Sequence, residues 1–302
     1  MKEKKQEQQT LPLKELPLEQ AQNTKELSVP HRFTNLMAKH YQSQVLPDLL
    51  RKHNIDENQF FQIVSSEFKK NRRLQDAFIQ NPQSLFASIL SGAEIGLIPS
   101  ELLGEFFLIP RKIDNKETIT PLIGYKGLVK ILLRSGYITK IHAECVYEGD
   151  EFEVEYGLEP KLKHIPNLSN PKSSATLKYV YVVAKLNSGD FQFSVLTKAD
   201  IIKIQQMSKY NNELYFNDKK DPQMWMVKKT ALIQLAKLLP KDYYGTKAVE
   251  LDSHLEGGAV LSLDDDNQVK IIDGKKVSVL KQANVMNTFA NLPDIEDTKE
   301  DA

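Results

Sequence analysis

With 302 residues, 41% of them hydrophobic, the chain is long enough to bury a core as one large domain or two modest ones. It holds no run of about 18 apolar residues, and its opening, MKEKKQEQQT, lacks the hydrophobic segment of a secretion signal; the expectation is a soluble, cytoplasmic protein with no membrane role. The lone cysteine, Cys145, excludes an internal disulfide and, inside the strand-like run KIHAECVYE, reads as a small buried residue rather than a reactive thiol.

The formal charge of zero, 40 basic against 40 acidic residues, hides an uneven distribution. Residues 1–30 hold 5 of each and residues 248–302 hold 5 bases and 12 acids, which leaves 30 bases and 23 acids between His31 and Lys247. A body of +7 beside an end of −7 suits a polyanionic partner, with the acidic end kept out of that contact or competing for it.

In chain order, residues 1–30 are polar, rich in Gln, Glu and Lys, and broken by Pro12, Pro17 and Pro30, the composition of a disordered arm. Three helices then lead: HRFTNLMAKHYQSQVLPDLLRKH; DENQFFQIVSSEFKK, with Asp56 as N-cap; and NPQSLFASILSGAEIGL, with Asn81 before Pro82 in the first turn. GEFFLIPRK and ETITPLIG follow as a β-hairpin joined by the polar turn IDNK, and a helix runs from Tyr125 to Ser135. ITKIHAECVYE, EFEVEYG, ATLKYVYVVAKL and FQFSVLT read as a β-meander, in which EFEVEYG has one buried face and ATLKYVYVVAKL, apolar on both faces, belongs at the centre. The helical period returns in KADIIKIQQMSK and in DPQMWMVKKTALIQLAKLLPK, which Pro240 closes. From Ala248 the chain is acidic and loosely patterned apart from QVKIIDGKKVSVL, a candidate ordered interaction element. The organisation is an arm (1–30), an α+β core (31–247) and an acidic tail (248–302).

Motifs for chemistry are sparse. There is no G-x-x-x-x-G-K-[ST] loop to cradle a nucleotide, DGKKVS being the nearest text, no H-E-x-x-H pairing among the scattered histidines, and no G-x-S-x-G elbow. No catalytic or metal-binding residue is assigned. One enzymatic pattern competes: Asp150, Glu159 and Lys161 loosely match the D…E-x-K set of Mg²⁺-dependent nucleases acting on single-stranded DNA, with two carboxylates for the metal and a lysine for the attacking water. Pro160, inside the strand that would carry Glu159 and Lys161, weighs against it.

What survives is a binding inventory. Basic residues fall beside aromatics at Phe106-Phe107 before Arg111-Lys112, at Tyr125-Lys126, at Lys178-Tyr179, at Lys209-Tyr210, and at Trp225 before Lys228-Lys229. Single-stranded nucleic acid is bound by this mixture, cations on phosphates and aromatic faces on bases, although Trp225 and Phe106 read as packed rather than stacked.

The order and spacing of GAEIGLIPSELLGEFFLIPRK, PLIGYKGLVKILLRSG and MWMVKKTALIQLAKLLPK resemble the RecT family of phage and prophage recombinases, the ATP-independent single-strand annealing proteins, from about Asn81 to about Lys241. The resemblance implies a Rad52-like α+β core, a curved antiparallel sheet backed by helices, assembling into rings or helical filaments on DNA. It implies a protein that is not an enzyme, anneals single-stranded DNA in homologous recombination, and requires no cofactor, with Mg²⁺ at most modulating DNA binding. The implied partners are single-stranded DNA and the annealed duplex, further copies of the chain, a 5′-to-3′ exonuclease and the single-strand binding protein of a bacterial host. Neither the arm nor the acidic tail is covered by the resemblance.

On these grounds DNA contacts are assigned to Arg111, Lys112, Tyr125, Lys126, Lys130, Arg134, Lys178, Lys209, Lys228, Lys229 and Lys237. Within GYKG, Gly124 and Gly127 are expected to bring backbone close to a phosphate, Tyr125 to stack on a base, and Lys126, Lys130 and Arg134, four residues apart, to track the strand. The alternative is an ordinary amphipathic helix with solvated lysines. The acidic tail is expected to compete weakly for the DNA groove or to dock a partner.

Overall fold

The chain begins as a stack of helices: α1 (Val29–Gln42), α2 (Val45–Lys52), α3 (Glu57–Lys70), α4 (Arg72–Gln80) and α5 (Pro82–Glu94). This is the arrangement in the computed structural model, which describes residues 28–210, 213–264, 268–274 and 276–279. Nearly all of the expected N-terminal arm lies outside the described residues, and α1 takes in Val29 and Pro30. The segment 31–53, expected as one helix, is two, because Gln44 sits in the left-handed region at φ 62° and breaks the hydrogen-bond ladder. A fifth helix appears where Asn71 caps α4 by accepting from the Leu74 N–H at 3.1 Å. Asp56 caps α3 through the Gln59 N–H at 2.7 Å, and Asn81 caps α5 through the Ser84 N–H at 3.2 Å with Pro82 in the first turn, as the sequence signals.

Helix α5 is buried from Ser84 to Glu94 and forms the axis of the core. It tolerates serines there because the Ser88 and Ser91 hydroxyls donate back to the carbonyls of Ser84 (2.7 Å) and Ser88 (2.8 Å), leaving neither hydroxyl stranded. Its end is a Schellman turn, with Gly96 at φ 70° and the Leu97 N–H bonded to the Gly92 carbonyl. Around it, Phe33 stacks on Phe68 at 4.2 Å and Phe68 meets Phe78 edge-on at 5.3 Å.

The strands form antiparallel sheets, so the fold is α+β as expected. β1 (Phe106–Ile113) and β2 (Lys116–Ile123) make the expected hairpin; its two turn residues, Asp114 and Asn115, take positive φ of 47° and 62°, the geometry that matches strand twist in a two-residue loop. After α6 (Tyr125–Arg134) come β3 (Ile138–Tyr147), β4 (Glu151–Glu155), β5 (Lys161–Ile165), β6 (Leu177–Leu186) and β7 (Phe191–Thr197). These do not form a simple meander. β3 pairs with β6, and β6 with β7, which puts β6 at the centre as its two-sided apolarity requires. β4 and β5 form a separate hairpin, and β5 is not among the strands expected of the meander. It packs on the sheet through Phe152, whose ring stacks on Tyr179 and Tyr181 at 5.4 and 5.7 Å.

After α7 (Lys198–Met207) and α8 (Trp225–Leu238), the boundary expected between Lys247 and Ala248 falls inside α9 (Tyr243–Glu256). This corrects the extent of the tail. Ala248, Leu251 and Leu255 are buried, and β8 (Val260–Leu263), β9 (Val269–Asp273) and β10 (Lys276–Val279) form a sheet that sends Leu261, Val269 and Ile271 into the main core. The acidic count misleads because Asp252 is not solvated: it pairs with Lys229 in the interior at 2.6 Å. QVKIIDGKKVSVL supplies β9 and β10, while 280–302 lies outside the described residues. Among the described residues no helix is long and apolar enough to cross a membrane.

Candidate nucleic-acid interface

The GYKG segment begins α6, and its glycines are there for packing. A Cβ at Gly124 would stand 2.3 Å from the Gly104 carbonyl oxygen, and one at Gly127 would stand 2.1 Å from that of Glu105. Both glycines let the first turn of α6 press against the 104–105 backbone, and the Gly124 N–H donates to the Glu105 carbonyl at 2.9 Å. This corrects the expectation of a close phosphate approach at these two residues: protein backbone occupies that space.

The basic face of α6 is also mostly engaged. Leu128 and Leu132 face the core as expected. Lys130 donates to the Glu105 carboxylate at 2.7 Å, and the Arg134 guanidinium donates to the Ile95 carbonyl at 2.7 Å, closing the end of α5. Lys126 is exposed and has no ion-pair or hydrogen-bond partner among the described residues. Its alkyl stem lies over Gly104, with Cδ 3.4 Å from where a Cβ would be.

Beside Lys126 opens a cleft of about 350 Å³ between the β1–β2 hairpin, the start of α6 and the start of α8. Phe107, Tyr125 and Trp225 wall it, Leu122 and Met226 lie beneath, and Glu101, Lys126 and Lys220 reach its mouth. Each ring is braced. The Ala143 N–H donates to the Tyr125 hydroxyl at 2.9 Å, which fixes the ring against Trp225 at 5.3 Å between centroids. Burial raises the Tyr125 pKa, so the phenol stays neutral. Trp225 is 37% exposed, with the Lys228 ammonium 5.5 Å from its ring centroid and in turn 3.1 Å from Glu144. The buried Asp221 carboxylate anchors the start of α8 by accepting from the Trp225 and Met226 N–H groups, each at 2.9 Å. Phe107 lies against Gly124, where a Cβ would come within 2.9 Å of its ring.

The other assigned residues scatter. Arg111 donates to Thr120 at 2.9 Å and stacks at 4.0 Å over Tyr210; burial lowers its pKa, which leaves a guanidinium charged at neutral pH. Lys112 is exposed near the hairpin turn, and Lys178 is exposed at a bulge, the residue skipped between the pairs Tyr147↔Leu177 and Val146↔Tyr179. Lys209 is exposed over Gly258, and Lys237 donates to Gln234 at 3.3 Å. Lys229 is the clear correction: only 3% exposed and paired with Asp252, it is withdrawn from any surface contact.

Sequence reading missed Phe107 and Trp225 as cleft walls. Alternation carried the signal for the first, since Phe106 is fully buried and its neighbour in a strand must face the other way. The nuclease set does not assemble. The Asp150 side chain is covered, accepting from the Tyr147 and Asn167 N–H groups at 2.8 Å each and paired with His164 at 3.1 Å. Burial pushes its pKa up, but these bonds outweigh that and hold the carboxyl below its ordinary value. Glu159 and Lys161 lie at the opposite end of the β4–β5 hairpin, about five strand residues or roughly 17 Å away. Among the described residues no group of three or more His, Cys, Asp or Glu is placed to hold a metal ion.

Fold and cleft define an α+β protein with an aromatic-walled, lysine-edged site, suited to a polyanion that carries planar groups. The RecT family model matches residues 58–253, and Protein RecT of Escherichia coli (strain K12) is 33% identical over 195 residues, 63% of this chain and 69% of the relative. The chain belongs to the RecT family.

Proposed function

We propose that the protein is an ATP-independent single-strand annealing protein of homologous recombination, built on a Rad52-like core and working as an oligomer on DNA beside a 5′-to-3′ exonuclease and a host single-strand binding protein. Membership of the RecT family supports this reading. The observation that carries it on the structural side is Lys126, a cation without a partner among the described residues, at the mouth of the aromatic cleft built from the GYKG and MWMVKK segments. Lys112, Lys178 and Lys209, exposed and without ion pairs among the described residues, supply further phosphate contacts.

Annealing requires a strand held by its backbone while its bases remain open to a complement. Lysines read phosphate and not sequence, so they meet that requirement. No bond is made or broken in the DNA. The test is a gel assay with two labelled complementary strands and Mg²⁺, with nucleotide removed. Full-length duplex formed without ATP supports the reading; strict ATP dependence, or shortened strands, overturns it.

A further inference from the structure

We infer that the cleft bounded by Phe107, Tyr125 and Trp225 takes one unpaired nucleobase from the bound strand per protomer, stacked among the rings and turned away from the pairing face. This rests on the proposed DNA-binding reading and goes further, because phosphate contact alone does not require an aromatic cavity.

The cleft is preformed. Tyr125 is pinned by the Ala143 N–H and Trp225 by the Asp221-anchored turn, so the walls need no ordering when a planar group enters. Lys126 stands at the mouth with no partner among the described residues, placed to meet the phosphate of the nucleotide whose base has entered. The interior is apolar, and the buried Asp221 carboxylate is already engaged by two backbone N–H groups. A site that offers rings but few edge-reading groups accepts any base, as a protein that anneals arbitrary sequences needs. A protomer repeat would then mark the strand with a periodic base withheld from pairing.

Trp225 is the chain's single tryptophan, so its emission reports occupancy directly. The full chain is titrated with an oligothymidylate and with an abasic strand of equal length. Base insertion predicts that only the base-bearing strand quenches Trp225, and that Phe107→Ala weakens binding of that strand about 5- to 150-fold, the range of one stacked base, while sparing the abasic strand. Phe107→Leu, which keeps the packing volume, guards against misfolding and should show the same selectivity. Equal quenching by both strands, or equal loss of affinity for both, overturns the inference and leaves the cleft to another ligand such as a partner's apolar side chain. If neither strand binds at all, it is the DNA-binding reading itself that fails.

Discussion

Residues of one type take opposite roles here, and burial with partnership decides between them. Among the described residues Lys126 is exposed and unpaired, Lys130 is tied to Glu105, and Lys229 is interred with Asp252. Lys229→Ala strands the Asp252 carboxylate, whose pKa burial already raises, and should cost roughly 3–5 kcal/mol in a denaturant melt. Lys126→Ala should leave the melt unchanged, weaken single-stranded DNA binding, and lower the log-log salt slope by about 0.7 for one lost phosphate. Matching melts for the two variants would contradict this division. The four-residue spacing of Lys126, Lys130 and Arg134 was legible in the sequence; their partners were not, because Glu105 and Ile95 lie on other elements. Histidine adds a pH dependence. Burial lowers the His53 pKa while its Nε2 sits 2.9 Å from the Glu94 carbonyl. The unfolded chain therefore binds the proton that the folded one resists, so this stability is present above about pH 6.5 and is lost as pH falls below it. The melting temperature should drop between pH 7.5 and 5.5, and less so in His53→Gln; an identical drop in both would remove His53 as the cause.

At the scale of elements, local signals were readable and non-local pairing was not. The caps Asp56 and Asn81, the Asp114-Asn115 turn and the apolar face of α6 are all set within a few residues, and each lies where the sequence places it. The β3–β6 pairing spans the whole β4–β5 hairpin, and nothing in the strand pattern distinguishes it from pairing with the next strand. Residues 248–256 of α9 read as tail in the sequence because composition alone cannot tell a buried acid from a solvated one. Two predictions belong here. Gly127→Ala must displace the Glu105 carbonyl and should destabilise by about 1–3 kcal/mol, measured by thermal melting; an unchanged melt would mean that α6 is not held against that loop. Truncation after Lys247 removes Asp252, Leu251 and Leu261 from the core and should abolish folding, whereas truncation after Val279 should leave circular dichroism and melting intact. A folded, monodisperse 1–247 fragment would contradict the assignment of α9 and β8 to the core.

For the whole molecule, neutrality conceals a basic body, and part of the acidic segment that balances it is built into the fold. A tethered acidic segment acts at an effective concentration of about millimolar, so if residues 280–302 compete for DNA their removal should tighten binding most at low salt, and equal binding would contradict it. The central claim is annealing driven by phosphate contacts without a nucleotide. Stopped-flow energy transfer between two complementary labelled oligonucleotides, with ATP enzymatically removed, tests it most directly. The account predicts pairing several-fold faster than without protein, slowed by Lys126→Ala and by added salt. Pairing no faster than the protein-free control, or acceleration only when ATP is restored, would contradict it.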